Sequence, residues 1–152
     1  MRKIYVFVML LLFSANALSE EKYSYFENGP YRFDEAKSYL VLISAVDLSS
    51  SEFKTNIEEV LSSLASKAKT KKFSARIFDN NEALNYYLSS VVKKGAMNKS
   101  GENSLETHLV AVYTGELSTN WAKYTLDFFP SAFTENSKVG KYVDTIEFEP
   151  KI

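Results

Sequence analysis

Tyr39-Leu40-Val41-Leu42-Ile43-Ser44-Ala45-Val46, followed at once by Leu48-Ser49-Ser50-Ser51-Glu52-Phe53, is the stretch on which the fold turns. The first run is continuously apolar through Ile43, as expected for a strand buried on both faces. The second has the grammar of a helix start. Ser49 and Glu52 are spaced as a capping box, and Leu48 and Phe53 flank them as a hydrophobic staple. From there Phe53, Ile57, Val60, Leu61, Leu64, Ala65 and Ala68 recur at helical spacing, while Lys54, Glu58, Glu59 and Ser62 fall on the other side. A buried strand leading into a one-sided helix predicts a helix lying on a sheet.

Working outward, the pattern repeats. Residues 72–78 read as a second strand. Asp79-x-x-Glu82 resembles another capping box, and Ala83, Leu84, Tyr87, Leu88, Val91 and Val92 form a second apolar stripe that Gly95 should stop. Residues 93–106 are polar, contain Gly95 and Gly101, and predict an exposed loop; Asn98-Lys99-Ser100 within them has the N-glycosylation pattern, read only as surface. Residues 109–113 predict a third buried strand, closed by Thr114-Gly115. Residues 124–129 mostly alternate and suit an antiparallel or edge strand ended by Pro130, and Ile146 and Phe148 predict one last short strand. An exposed edge at 124–129 would suit a subunit that packs through that edge. Before the first strand, Asn28-Gly29-Pro30 signals a turn and Tyr31-Arg32-Phe33 could add an edge strand. The expectation is one α/β domain over residues 20–152, two or three layers deep. Its mixed sheet would have a parallel β-α-β-α-β core followed by antiparallel C-terminal strands.

The N-terminus has a different logic. Arg2 and Lys3 precede the apolar run Ile4-Tyr5-Val6-Phe7-Val8-Met9-Leu10-Leu11-Leu12-Phe13, and small residues follow through Ser19. Charged, apolar and small segments in that order predict a secretory signal peptide over residues 1–19. Ala15-x-Ala17 or Ala17-x-Ser19 would direct cleavage, so that the mature chain starts at Leu18 or Glu20. The apolar run is about half the roughly 20 residues a spanning helix needs, so no stable membrane span is expected after cleavage.

Composition narrows the function classes. The 152 residues are 45% hydrophobic and 24% charged, ordinary for a folded domain. Without the leader, 16 basic residues face 19 acidic ones, a net charge of −3, which disfavours nucleic acid or an anionic membrane as partner. The chain has no cysteine, which excludes disulfides, thiolate metal sites and a cysteine nucleophile. An exported protein without disulfides points to a bacterial periplasm or the extracellular medium.

Candidate sites follow from the expected topology. In a parallel sheet, ligands bind beyond the C-terminal strand ends, which nominates Asp47, Ser49, Asp79, Asn80 and Thr114. Two carboxylates there could hold a divalent cation, or the helix starts could meet an anion. Capping by Ser49 and Asp79 and a turn at Asp47 explain the same residues without a ligand, and no Gly-rich phosphate loop is present. At the other rim, Lys67, Lys69, Lys71 and Lys72, with Lys93, Lys94 and Lys99, complement helix C-termini. His108, the one histidine, is expected at the end of the third strand away from the crevice, which disfavours a catalytic triad. Most of the clustered aromatics are expected in the core. Trp121, in a loop, and Tyr124 beside it are the candidates for partner binding. Together these features predict an exported, non-enzymatic binding module of the bacterial envelope, with an envelope protein or another envelope component as partner and no cofactor. The alternative is a small-molecule or divalent-metal-dependent enzyme built on the strand-end carboxylates.

Overall fold

The computed structural model describes residues 23–30, 37–115, 124–132 and 137–152. The segment expected to be a leader, Tyr31 to Phe33, Trp121 and Phe133 therefore lie outside the described residues. Six strands form one mixed sheet in the order of the chain: β1 (Tyr23–Pro30), β2 (Lys37–Ile43), β3 (Phe73–Phe78), β4 (Leu109–Thr114), β5 (Thr125–Phe128) and β6 (Asp144–Glu147). Helix α1 (Phe53–Ala68) links β2 to β3, and α2 (Asn81–Tyr86) and α3 (Lys99–His108) link β3 to β4.

Only β2 and β3 are parallel; every other neighbouring pair is antiparallel. The expected parallel β-α-β-α-β core is thereby corrected, and α3 supplies the reason. One helix between two strands carries the chain back along the sheet, so the next strand runs parallel. Here α2 runs back and α3 returns, so β4 enters at the end where β3 left and must run antiparallel. α3 itself occupies much of the segment expected to be loop. Asn98, the residue of the glycosylation pattern, is its N-cap and accepts the Gly101 N–H at 2.8 Å.

The sheet is covered on both faces. On one, Phe53, Ile57, Val60, Leu61, Leu64 and Ala65 of α1 pack with Tyr39, Val41, Phe73, Ala75, Ile77, Ala111, Tyr113, Leu126 and Phe128. A fully buried Leu, Ile or Phe contributes about 1.5–3 kcal/mol relative to exposure, so this face is the main apolar source of stability. On the other, Leu40, Phe78, Ala83, Leu84, Leu105 and Leu109 form a smaller cluster beneath α2 and α3. Alternate residues of β2 thus serve opposite layers, which is why its sequence shows no polar alternation. The predicted apolar stripe of the second helix is used as far as Leu88, with Tyr87 and Leu88 partly buried against this cluster; the Val91 side chain lies outside the described ones. Residues Tyr87–Val92 are π-helical, with Lys93 N–H reaching Leu88 C=O at 3.0 Å. Lys94 takes a left-handed conformation (φ 54°), and Gly95 closes the turn against Ser89 C=O.

β5 is paired on both sides, by β4 and β6, so residues 124–129 are not a sheet edge. The edge expectation fails there because the Ile146 strand pairs with β5. Of the aromatics, Tyr23, Phe128 and Phe129 are buried and Tyr25 is exposed.

Candidate functional site

The parallel pair β2–β3 places the ends of both strands side by side, and the chain leaves them toward opposite faces of the sheet. Asp47, Ser49, Asp79 and Asn80 are at this end. Thr114 is not: antiparallel β4 puts it opposite Ser74, at the other end of the sheet. The same reversal brings His108 to the crevice. Its expected position at the far end was a consequence of assuming a parallel β4.

Neither nominated cap, Ser49 or Asp79, performs as the sequence suggested. The N-cap of α1 is Glu52, without a side-chain hydrogen bond of its own; its N–H donates to Ser50 Oγ at 3.1 Å. Ser49 instead donates through both its N–H and its hydroxyl to Asp47 Oδ1, an Asx turn. These bonds hold the Asp47 carboxyl below the usual carboxylate range, chiefly through the Ser49 hydroxyl. The N-cap of α2 is Asn80, whose Oδ1 accepts Glu82 N–H at 2.8 Å and Ala83 N–H at 3.1 Å. Asn80 has the extended backbone that an N-cap requires, which leaves the preceding carboxylate free for other work.

That carboxylate is the centre of the strand-end cluster. Asp79 Oδ2 accepts Val46 N–H at 3.0 Å, and Asp79 Oδ1 lies 2.8 Å from His108 Nδ1. The Asp79 N–H donates in turn to His108 C=O at 3.3 Å. The Asp79 side chain is only 11% exposed, whereas that of His108 is 35% exposed. A carboxylate at Nδ1 orients the ring and leaves Nε2 as its outer nitrogen. Asp47 and Asp79 thus lie on adjacent segments but serve different partners: Asp47 its own turn, Asp79 the clamp. Among the described residues no group of three or more His, Asp or Glu is gathered to hold a metal ion.

Beside this cluster, a groove of about 1190 Å³ runs between the β2 end and the flank of α1. Residues 43–47 form one wall, and Phe53, Asn56, Ile57, Val60 and Ser63 form the other. Tyr23 closes one end, its hydroxyl donating to Ser63 Oγ at 2.9 Å and its ring lying 5.0 Å from Lys67 Nζ. The sequence reading missed this groove because it lies along the helix and not beyond the strand tips.

Tyr124 is half-buried against the main core, and its carbonyl accepts Phe148 N–H at 2.9 Å. Trp121 lies outside the described residues. Lys71 of the basic rim pairs with Glu149 at 2.7 Å. Among the described residues no helix is long and apolar enough to cross a membrane. No family model, curated protein or solved structure was found to match this chain.

Proposed function

We propose that the protein is an exported, non-enzymatic binding module whose groove along α1 takes a peptide segment of a bacterial envelope protein. The groove carries this reading. Its volume of about 1190 Å³ exceeds the range of about 300–1,000 Å³ usual for small-molecule sites, and it opens to solvent. Its accessible lining mixes the half-buried Ile43 and Val46 with Ser44, Asn56 and Ser63, which suits a chain that presents side chains and backbone polar groups together. The leader-like first 19 residues support an envelope or extracellular setting, with cleavage before Leu18 or Glu20.

The enzyme alternative has one supporting feature, the His108 ring oriented by Asp79. Catalysis by strand-end carboxylates gains less, because Asp79 already accepts two partners and Asp47 is bound to Ser49.

A photo-crosslinking residue at Asn56, exposed on the groove wall, tests the binding reading in living cells. The same envelope protein should be captured repeatedly from Asn56 and not from Glu102 on the opposite layer. A synthetic peptide of the captured stretch should then shift the amide resonances of Asn56, Val60 and Ser63 in the purified protein. A peptide that shifts only the α3 layer, or a chain that keeps its leader inside the cell, would overturn the proposal.

A further inference from the structure

Residues 45–50 form part of the groove wall and join β2 to α1, so their position decides the width of the groove. Their hydrogen bonds are mostly local. Ser50 N–H reaches Asp47 C=O at 3.1 Å, Ser49 is bound to Asp47, and Ser50 Oγ accepts the Glu52 N–H. Among the described residues, one hydrogen bond carries this segment to a distant part of the chain: Val46 N–H to Asp79 Oδ2, across 33 positions. The ladder beneath has ended, since the last paired residues of β2 are Leu42 with Phe78 and Ile43 with Tyr23. Val46 and Leu48 also pack against the core, but apolar contact is non-directional and does not fix a backbone orientation.

The accepting carboxylate is itself aimed from a third element. His108 Nδ1 engages Asp79 Oδ1, and the Asp79 N–H is bound to His108 C=O, so α3 and β4 set where Oδ2 points. We propose that Asp79 is a latch: its carboxylate holds residues 45–50 in the position that forms the groove wall, and His108 is the positioning residue that holds the carboxylate. Releasing the latch frees the wall while the sheet beneath stays intact. α1 and α3 pack on opposite faces of the shared sheet, and the Asp79 side chain is a polar link between a residue of the α3 layer and the groove wall.

The latch bears on function through the groove reading, but its test needs no ligand. Amide hydrogen exchange is measured by NMR on the protein as purified from cells, for the parent, Asp79→Ala and His108→Ala. In Asp79→Ala the Val46 amide should exchange at least about tenfold faster, with Ala75 and Ile77 in the sheet unchanged, as local opening requires. In His108→Ala the same amide should accelerate by a smaller factor of about threefold, because the carboxylate remains but is no longer aimed. Should Asp79→Ala fail to fold, His108→Ala carries the test alone. Unchanged exchange at Val46 in either variant would overturn the proposal. So would an equal acceleration at Val46, Ala75 and Ile77, which would make the cluster a general stabiliser. A failed groove reading looks different: normal latch behaviour, with no resonance shift at Asn56, Val60 and Ser63 on adding peptide.

Discussion

Gly101→Ala sets two known effects against each other. At an ordinary helix position alanine is more stable than glycine by about 0.8–1 kcal/mol. In α3 the new Cβ would fall 2.0 Å from Tyr86 Cε2, 2.2 Å from Cδ2 and 2.3 Å from Cζ. Reaching normal carbon contact of about 3.5 Å requires the ring to move about 1.5 Å. The ring is not free to do so. Its hydroxyl accepts Asn98 N–H at 3.0 Å and donates to Asn98 C=O at 3.2 Å, and Asn98 is the residue that caps α3. Breaking those two bonds costs about 0.5–1.5 kcal/mol each, and overpacking costs about 1–3 kcal/mol in typical cores. Steric cost exceeds propensity gain, and the variant should be destabilised by about 1–5 kcal/mol. Urea unfolding followed by circular dichroism measures it; with a slope of about 1–3 kcal/mol per molar, the midpoint should fall by roughly 1 M. The control is the same substitution in a Tyr86→Ala background, where the ring is gone and alanine at 101 should stabilise by up to about 1 kcal/mol. An unchanged or raised midpoint for Gly101→Ala beside an intact Tyr86 would refute the reasoning, and with it the docking of α3 on α2.

Leu64→Ala, at a fully buried position of α1, should cost about 2–5 kcal/mol by the same unfolding assay, since the cavity lies between helix and sheet. The Asp47 carboxyl is lowered in the folded protein, so its contribution to stability is present above the unfolded carboxylate range and lost as pH falls through the lowered folded value. Asp47→Asn should accordingly be less stable than the parent at neutral pH, with the gap closing in acid; a gap independent of pH would count against the turn. Tyr113 donates its hydroxyl to Lys71 C=O at 2.7 Å, and burial pushes its phenol well above the ordinary tyrosine value. In an alkaline absorbance titration one tyrosine fewer should ionise in Tyr113→Phe only at the extreme end of the curve, and a loss in the ordinary tyrosine range would contradict the burial. A peptide that occupies the groove, supplied at about 100 times its dissociation constant, should stabilise the protein by about 2.7 kcal/mol in thermal unfolding. Asn56→Trp, at an exposed position on the groove wall, should remove that increment.

What the chain determined alone is the set of elements whose side chains meet one uniform surface. The run from Tyr39, the stripe from Phe53 to Ala65 and the run from Leu109 to Tyr113 were legible because burial marks them, as continuous apolar runs in the strands and as a helical period in α1. α3 escaped because it buries only Gly101 and Leu105, too few for a period, although Asn98 as cap, Glu102 in the first turn and the Leu105–Leu109 spacing were there to be read. From that omission followed the direction of β4, the wrong end for Thr114 and the wrong end for His108. The roles of the polar residues depended on competition among neighbours. Asn80 took the cap of α2, and Asp79 was left to Val46 and His108, which lie 33 and 29 positions away. Local patterns report which face of an element is buried, because that is a property of one segment against an averaged environment. Which carboxylate meets which amide depends on the path of the whole chain, so the latch and the groove beside it exist only once the sheet has closed over α1 and α3.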